Sequence, residues 1–596
     1  MSNRACWAIF AIVLFAFATV RAGDSTWMNA GAGFWHDSGN WHNGVPGDPD
    51  IATVSMIGGS PVIQLTNDAS VLRFNGASGV FDLTFDVNGY KFEALITNNT
   101  AGLEGLLLAY TGTTTQNVTL VSSAPNGIFE VNRIRAGTVG RPLNLTFTGS
   151  NLTVNLNGLV GDNGFFSTGD GLFTISAGAT MNALRPYLFA AGGVASHPTA
   201  TWLITDPGTM VTQTSASGLY IGKSGAGMPT MIVSNGAAFY GLNITARVAQ
   251  GGDSTSSYSP GANGKLIITG VGSYFTNTTL NVSEMAGNGT LTKSGYDGTG
   301  GGFVVVEQGA VLDISALTIG RGWGTFNTNT VLVTNTMAYG EVVVRGTGSV
   351  MKASGSQQIG RSSQGAVYVL DGGQYLVKAG ANIELARPSY STYTNLNSYG
   401  LLVVSNAGSY VEGDKLLVGG DLVGNGEYGY GDVVVADHAR LKTLNATRGI
   451  ELRPRSSLTV SDALVESRTL VMESNTTLRL ELGSRAHNQA YIQLTGALNA
   501  ASDVTLQLAF LDDFDTSGLS NGDEVRLITM GSYLGGFSGW VNGVTTVVHG
   551  DYTFLFNEYA SEIYLSVSAI PEPGTLGLIG AGLGLAALLR RRVNAA

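Results

Sequence analysis

The chain has 596 residues and a formal net charge of −11, and at 12% its charged residues are about half as frequent as in an average globular protein. Glycine, with 84 residues, is roughly twice as frequent as usual, while apolar residues hold an ordinary 44% share. These figures exclude a chain left disordered by low hydrophobicity, and the acidic balance excludes a nucleic-acid partner, because phosphate binding needs a basic face.

Residues 1–22 read as an export signal. Arg4 supplies the positive start, Trp7 to Thr19 is an uncharged apolar run, and Val20-Arg21-Ala22 is a small-x-small cleavage pattern. Cleavage after Ala22 would start the mature chain at Gly23. The apolar run is short for a permanent span. Cys6, the only cysteine, lies inside this signal, so the mature chain is expected to have neither a disulfide nor a Cys-based metal site.

Residues 23–170 are expected to hold an N-terminal cap and the first coils of a repetitive body. Trp27, Phe34, Trp35 and Trp41 crowd aromatic rings into a polar, turn-rich stretch, as an open solenoid end requires to cover its core and strand edges. Trp35 and Trp41 have an alternative use in stacking on sugars. His36, Asp37 and His42 lie among turn residues without ligand spacing, so a metal is not expected there. The pattern Gly39-Asn40-Trp41-x-x-Gly44-Val45-Pro46 resembles the beginning of many autotransporter-like and PEP-CTERM surface proteins.

Residues 171–487 carry a repeat. An ungapped block recurs nine times, starting at Gly171, Ala200, Pro229, Gly264, Gly302, Gly340, Gly365, Gly400 and Gly431. Residues two and four after each start are apolar, as in Val304 and Val306 or Val342 and Val344, which is the period of a strand with one face turned inward. The residue eight after is always Gly or Ala, including Gly208, Gly272, Gly348, Gly373 and Gly408. A small residue there permits a sharp corner, and apolarity ten after (Met181, Phe239, Tyr274, Val350, Tyr410) is expected to resume the core. A third apolar piece follows, such as Leu317-Thr318-Ile319-Gly320, and then insertions of varying length. Strand, corner, strand, corner, strand and loop describe one coil of a right-handed parallel β-helix. The competing β-propeller would place hairpin turns at fixed positions, and these are missing. The middle residue of the first strand is often apolar too (Val305, Val343, Tyr368), and the insertions are candidates to cover it.

Residues 488–568 change pattern and read as a C-terminal β capping region. "YIQLTGALNAASDVTLQLAF" is expected to form two alternating strands, with "SEIYLSVSA" as a last one. The succession resembles the end of autotransporter passenger domains, which implies closure of the helix. Asp512, Asp513, Asp515, Asp523 and Glu524 lack the spacing of known Ca²⁺ loops, and a solvated loop is expected.

Residues 569–596 begin with Pro571-Glu572-Pro573, continue with the sixteen uncharged residues Gly574 to Leu589, and end near Arg590, Arg591 and Arg592. As a helix the apolar run would span about 24 Å at ~1.5 Å per residue, short of a ~30 Å hydrocarbon core. The arginines would hold the tail on the cytoplasmic side. This three-part order resembles the PEP-CTERM sorting signal, in which such a short transmembrane segment is recognised and cut by an exosortase. The resemblance implies an exosortase-type partner and a transient stay in the inner membrane. Display on the surface or in the extracellular matrix of a Gram-negative-type bacterium would follow.

Chemistry is sparse. Glu307 and Glu341 flank strands, but Asp313, Asp371 and Asp437 fall at other offsets, so no coil gathers the paired carboxylates of sugar hydrolysis. No Ser-His arrangement and no phosphate-binding glycine loop is present. The expectation is a non-enzymatic, adhesin-like structural protein without cofactor, its wall in contact with extracellular polysaccharide. The alternative is a polysaccharide lyase or hydrolase whose site assembles only in three dimensions.

Overall fold

The computed structural model describes residues 24–55, 59–76, 82–95, 105–108, 115–132, 134–136, 143–157, 166–168, 171–183, 187–189, 200–213, 218–223, 228–250, 263–284, 301–321, 339–361, 363–387, 398–420, 429–445 and 447–569. The export signal with Ala22, the longer insertions and the tail from Ile570 onward lie outside the described residues. The chain divides into two compact units, Met1–Phe189 with Ser196–Ser215 and Ala190–Ala195 with Ala216–Ala596. Both are parallel β-helices.

In the first unit each coil visits three ladders in turn. One ladder passes through Leu83–Asp86, Gln116–Val121, Leu143–Thr148 and Gly171–Ser176, a second through Lys91–Ala94, Gly127–Val131 and Leu152–Leu156, and a third through Ile51–Val54, Arg73–Gly76 and Leu106–Leu108. All three are parallel. The second unit repeats the plan, its first ladder running from Thr230–Ser234 to Thr505–Phe510.

The strands form because inward positions repeat every two residues and stack on themselves from coil to coil. Gly264 lies opposite Gly302, Gly302 opposite Gly340, Gly340 opposite Gly365, Gly365 opposite Gly400, and Gly400 opposite Gly431, which is the register of the sequence blocks. Val304, Val342, Val367, Leu402 and Val433 therefore make one buried column, and Val306, Val344, Val369, Val404 and Val435 the next. Burying each such side chain contributes about 1.5–3 kcal/mol. Val305, Val343 and Tyr368 point outward and stay half-buried along the ladder.

The same register extends beyond the nine blocks. Leu145 lies opposite Phe173, and Asp432 opposite Ser457, so coils precede Gly171 and follow Gly431. Such coils are expected within residues 23–170 and up to 487, but the nine-block alignment stops short of them because Asn151 and Leu464 occupy the position where the blocks have Gly or Ala. Parallel pairing also continues past residue 488. The stretch expected as two strands forms three, Ile492–Leu494, Ala497–Ala500 and Thr505–Phe510, each on a different ladder.

The corner after the first strand takes two forms. In one, a four-residue turn closes from Ala310 N to Glu307 O, and its central residues Gln308 and Gly309 both have positive φ, the pattern of a type I′ turn. In the other, Ser349 N reaches Gly346 O across Thr347-Gly348, with φ of 83° at Gly348. This second turn contains one more residue. Gly208, Gly272 and Gly408 have φ values of 82°, 81° and 83° in the same role. Gly373 differs: it sits inside a type I′ corner, where a Cβ would lie 2.4 Å from Val344 O. Small residues at one offset thus answer two separate demands, left-handed backbone and close approach.

The extra residue corrects one sequence expectation. Tyr274, Val350 and Tyr410 do not resume the core but lie half-exposed on the outer wall, and the buried side chains are their neighbours Phe275, Met351 and Val411. After type I′ corners, Met181 and Phe239 do point inward.

Each unit has a closed end. In the first unit Met28 N donates to Asn40 O and His42 N to Thr26 O, so residues 40–42 cover the edge of the first strand. Trp27, Trp35 and Trp41 are at most 2% exposed. Trp41 Nε1 donates to Trp35 O at 2.7 Å, and the Trp35 ring meets Phe85 and Phe92 edge-on. Phe34 stays outside, half-exposed. In the second unit Glu562–Ala569 adds to Glu524–Thr529 antiparallel, followed by Tyr552–Glu558 and Thr546–His549. Phe510, Phe514, His549 and Phe554 pack into one aromatic cluster beneath this sheet.

Replacing Gly348 or Gly408 by Val should cost about 1–3 kcal/mol, because a β-branched residue is strained at positive φ. Thermal melting checks this, and an unchanged midpoint would show that the corner tolerates a side chain.

Candidate functional site

The two processing points expected from sequence flank the folded chain. Ser25–Trp27 is already a paired strand three residues after Ala22, and Ala569 is paired with Tyr552 immediately before Ile570. Pro571, Glu572, Pro573, Arg590, Arg591 and Arg592 lie outside the described residues. No helix among the described residues is long and apolar enough to cross a membrane.

The suspected ligand groups have other partners. His36 Nδ1 meets Thr66 Oγ1 at 3.1 Å, Asp37 accepts from Gly39 N at the start of a 3₁₀ turn, and His42 Nδ1 meets Asn43 Oδ1. Asp515 accepts from Ser517 N and Asp523 from Ser520 N, each closing a local turn. No group of three metal-ligating side chains occurs among the described residues. Trp35 and Trp41 are buried and cannot present a face to a sugar.

The outward carboxylates are likewise engaged. Tyr274, Tyr339 and Tyr399 donate their hydroxyls to Asp313, Glu341 and Asp432 at 2.9, 2.7 and 3.0 Å. Burial, and then the carboxylate beside each ring, raises these phenols above their ordinary range. Glu307 pairs with Arg345, and Asp437 accepts from Ser405. The nearly buried Glu284 receives Arg247 at 3.0 Å, Arg321 at 3.1 Å and Asn281 at 2.8 Å. A shallow cleft of about 300 Å³ is lined by Asp313, Lys352, Lys378 and Glu412. Its two carboxylates stand three coils apart, or ~14 Å at ~4.8 Å per coil, beyond the ~5–9.5 Å that glycoside hydrolysis uses.

One close pair was not legible in the sequence. Glu93 and Glu130 lie opposite each other on adjacent strands. Lys91 bridges them, with its Nζ in contact with Glu93 and 2.8 Å from Glu130 Oε2. Burial alone would raise the Glu130 carboxyl, but hydrogen bonds from Lys91 and Asn157 hold it below its ordinary value of 4.5. The hydrogen bonds to Glu130 and then Glu93 raise the Lys91 ammonium. A glycosidase acid needs its proton retained at neutral pH, and this arrangement does the reverse. The 36 residues between Glu93 and Glu130 hide the pair from any local motif.

One ladder of the first unit carries a row of neutral polar groups on its outer face. Thr84, Thr119, Thr146 and Thr174 stand in register on four successive coils. Beside them Asn144 donates to Asn117 at 2.9 Å and Asn117 to Asp82 at 2.8 Å, while Asn182 donates to Asn155 on the next ladder. Hydroxyls and amides repeat about every 4.8 Å along the coil stack.

Residues 569–592 fit the PEP-CTERM protein-sorting motif. The motif implies export and handling by an exosortase-type enzyme, and it begins at the last residue of the last strand. No curated protein matches the chain.

The Lys91–Glu130 pair sets a pH window. A lowered carboxyl pKa adds stability above the unfolded value and loses it as pH falls through the folded one. A raised ammonium pKa adds stability below 10.5 and loses it as pH rises through the folded value. Melting midpoints of Glu130→Gln should therefore fall less steeply below pH 4.5 than those of the parent. The difference should be small because Lys91 is partly exposed. Parallel curves would show that the pair does not contribute.

Proposed function

We propose that this chain is an exported, non-enzymatic structural or adhesive β-solenoid of the cell surface or extracellular matrix. It is held briefly in the inner membrane by its tail and released when an exosortase-type enzyme cuts near Pro571-Glu572-Pro573. The carrying observation is the neutral Thr and Asn wall, which offers regular hydrogen-bonding groups to a polysaccharide and no poised acid or base. The strand pairing of Ala569 with Tyr552 fits release just beyond it, since a cut there leaves every strand of the cap intact.

A second reading, a polysaccharide-active enzyme, draws support from the closeness of Glu93 and Glu130. The ammonium between them opposes it, because its hydrogen bond helps hold the Glu130 carboxyl below its ordinary value.

Mass spectrometry of the exported protein from its native host should find no peptide beyond the neighbourhood of Pro573, and a mature form ending at Ala596 would overturn processing. Replacing Pro571, Glu572 and Pro573 together should leave uncut precursor in the inner membrane. A screen of neutral and acidic polysaccharides should show retention without depolymerisation. Release of new reducing ends, abolished by Glu130→Gln, would establish the enzyme instead.

A further inference from the structure

The two corner forms follow a strict order along the chain. In the second unit type I′ corners stand at Asn235-Gly236, Gln308-Gly309, Asp371-Gly372 and Asp437-His438, whose paired residues all have positive φ. Between them fall the longer corners that end in Gly272-Ser273, Gly348-Ser349 and Gly408-Ser409. The coils alternate without exception from Pro229 to Gly431, and the first unit holds one further pair, Ala177-Gly178 followed by Gly208-Thr209.

Neighbouring corners are complementary. Each type I′ glycine amide donates to the hydroxyl of the following longer corner: Gly236 to Ser273 Oγ, Gly309 to Ser349 Oγ and Gly372 to Ser409 Oγ, all at 3.0 Å, and Gly178 to Thr209 Oγ1 at 2.9 Å. The four hydroxyl residues are at most 1% exposed. Ser273 and Ser409 pass their own protons to Thr269 O and Ser405 O. Glycine packs directly on glycine as well, since a Cβ on Gly348 would lie 3.5 Å from Gly309 Cα, and one on Gly408 3.5 Å from Gly372 Cα. From the other side, a Cβ on Gly309 would lie 3.0 Å from Val271 Cγ2 and one on Gly372 3.0 Å from Thr347 Oγ1.

We propose that the building unit of this solenoid is a pair of coils, locked by a buried hydroxyl that accepts the amide of the preceding corner, and that its length changes in steps of two coils. Two type I′ corners in succession would leave a buried amide without the hydroxyl, and two longer corners would leave a hydroxyl without its donor while crowding an additional residue into the stack.

The proposal makes a larger deletion less harmful than a smaller one. Excising residues 302–364 removes a pair, 63 residues, and brings the longer corner at Gly272 before the type I′ corner at Asp371, preserving the order. Excising residues 340–364 removes one coil of 25 residues and sets Gln308-Gly309 against Asp371-Gly372. In the full exported chain the first variant should melt within a few degrees of the parent, and the second should melt far lower or fail to fold. Equal midpoints, or a more stable single-coil deletion, would overturn the proposal. If neither variant folds, hydrogen exchange decides: the Gly309 amide should exchange at least tenfold faster in Ser349→Ala and at the parental rate in Ser349→Thr, and an unchanged rate in Ser349→Ala would refute the lock.

Discussion

Everything in this structure depends on the parallel backbone ladder between coils. Each strand satisfies its N–H and C=O groups only by lying in register on the coils before and after it. That requirement makes equivalent residues stack on themselves, so one column of valines, one of glycines or one of hydroxyls is decided for many coils at once. A chain without disulfides in its described body can hold such a shape because the ladder and the columns are continuous.

A ladder also has ends and corners, and both are where the sequence is most specialised. The corners use positive φ and close backbone contact, which explains much of the glycine content. The ends expose unpaired edges and core, and the chain closes them in different ways. Three buried tryptophans and a short antiparallel contact serve the first strand. In the second unit the chain turns back as an antiparallel sheet over an aromatic cluster. Both closures make continued edge-to-edge addition unfavourable.

Low charge has a counterpart in the wall. Several carboxylates are held by Arg or Tyr from a neighbouring coil, as Glu284, Glu307 and Asp313 show. The first unit presents a repeating row of hydroxyls and amides. Such a row offers many weak, equivalent contacts at once, and the sorting motif at residues 569–592 implies export.

The sequence by itself determined the all-β parallel architecture, the position of the strands and their register through the nine blocks, because a period of two and stacked equivalence are local and repeated. It also marked the sorting segment at residues 569–592, whose signal is written in consecutive residues. The tertiary structure alone decided which side of the wall Tyr274, Val350 and Tyr410 occupy, since one additional residue in a corner reverses every side chain after it. It alone joined Glu93 to Glu130 and Gly309 to Ser349, about forty residues apart in sequence. Those contacts exist only once successive coils lie side by side, and the length of chain between two coils carries no trace of which residues will meet.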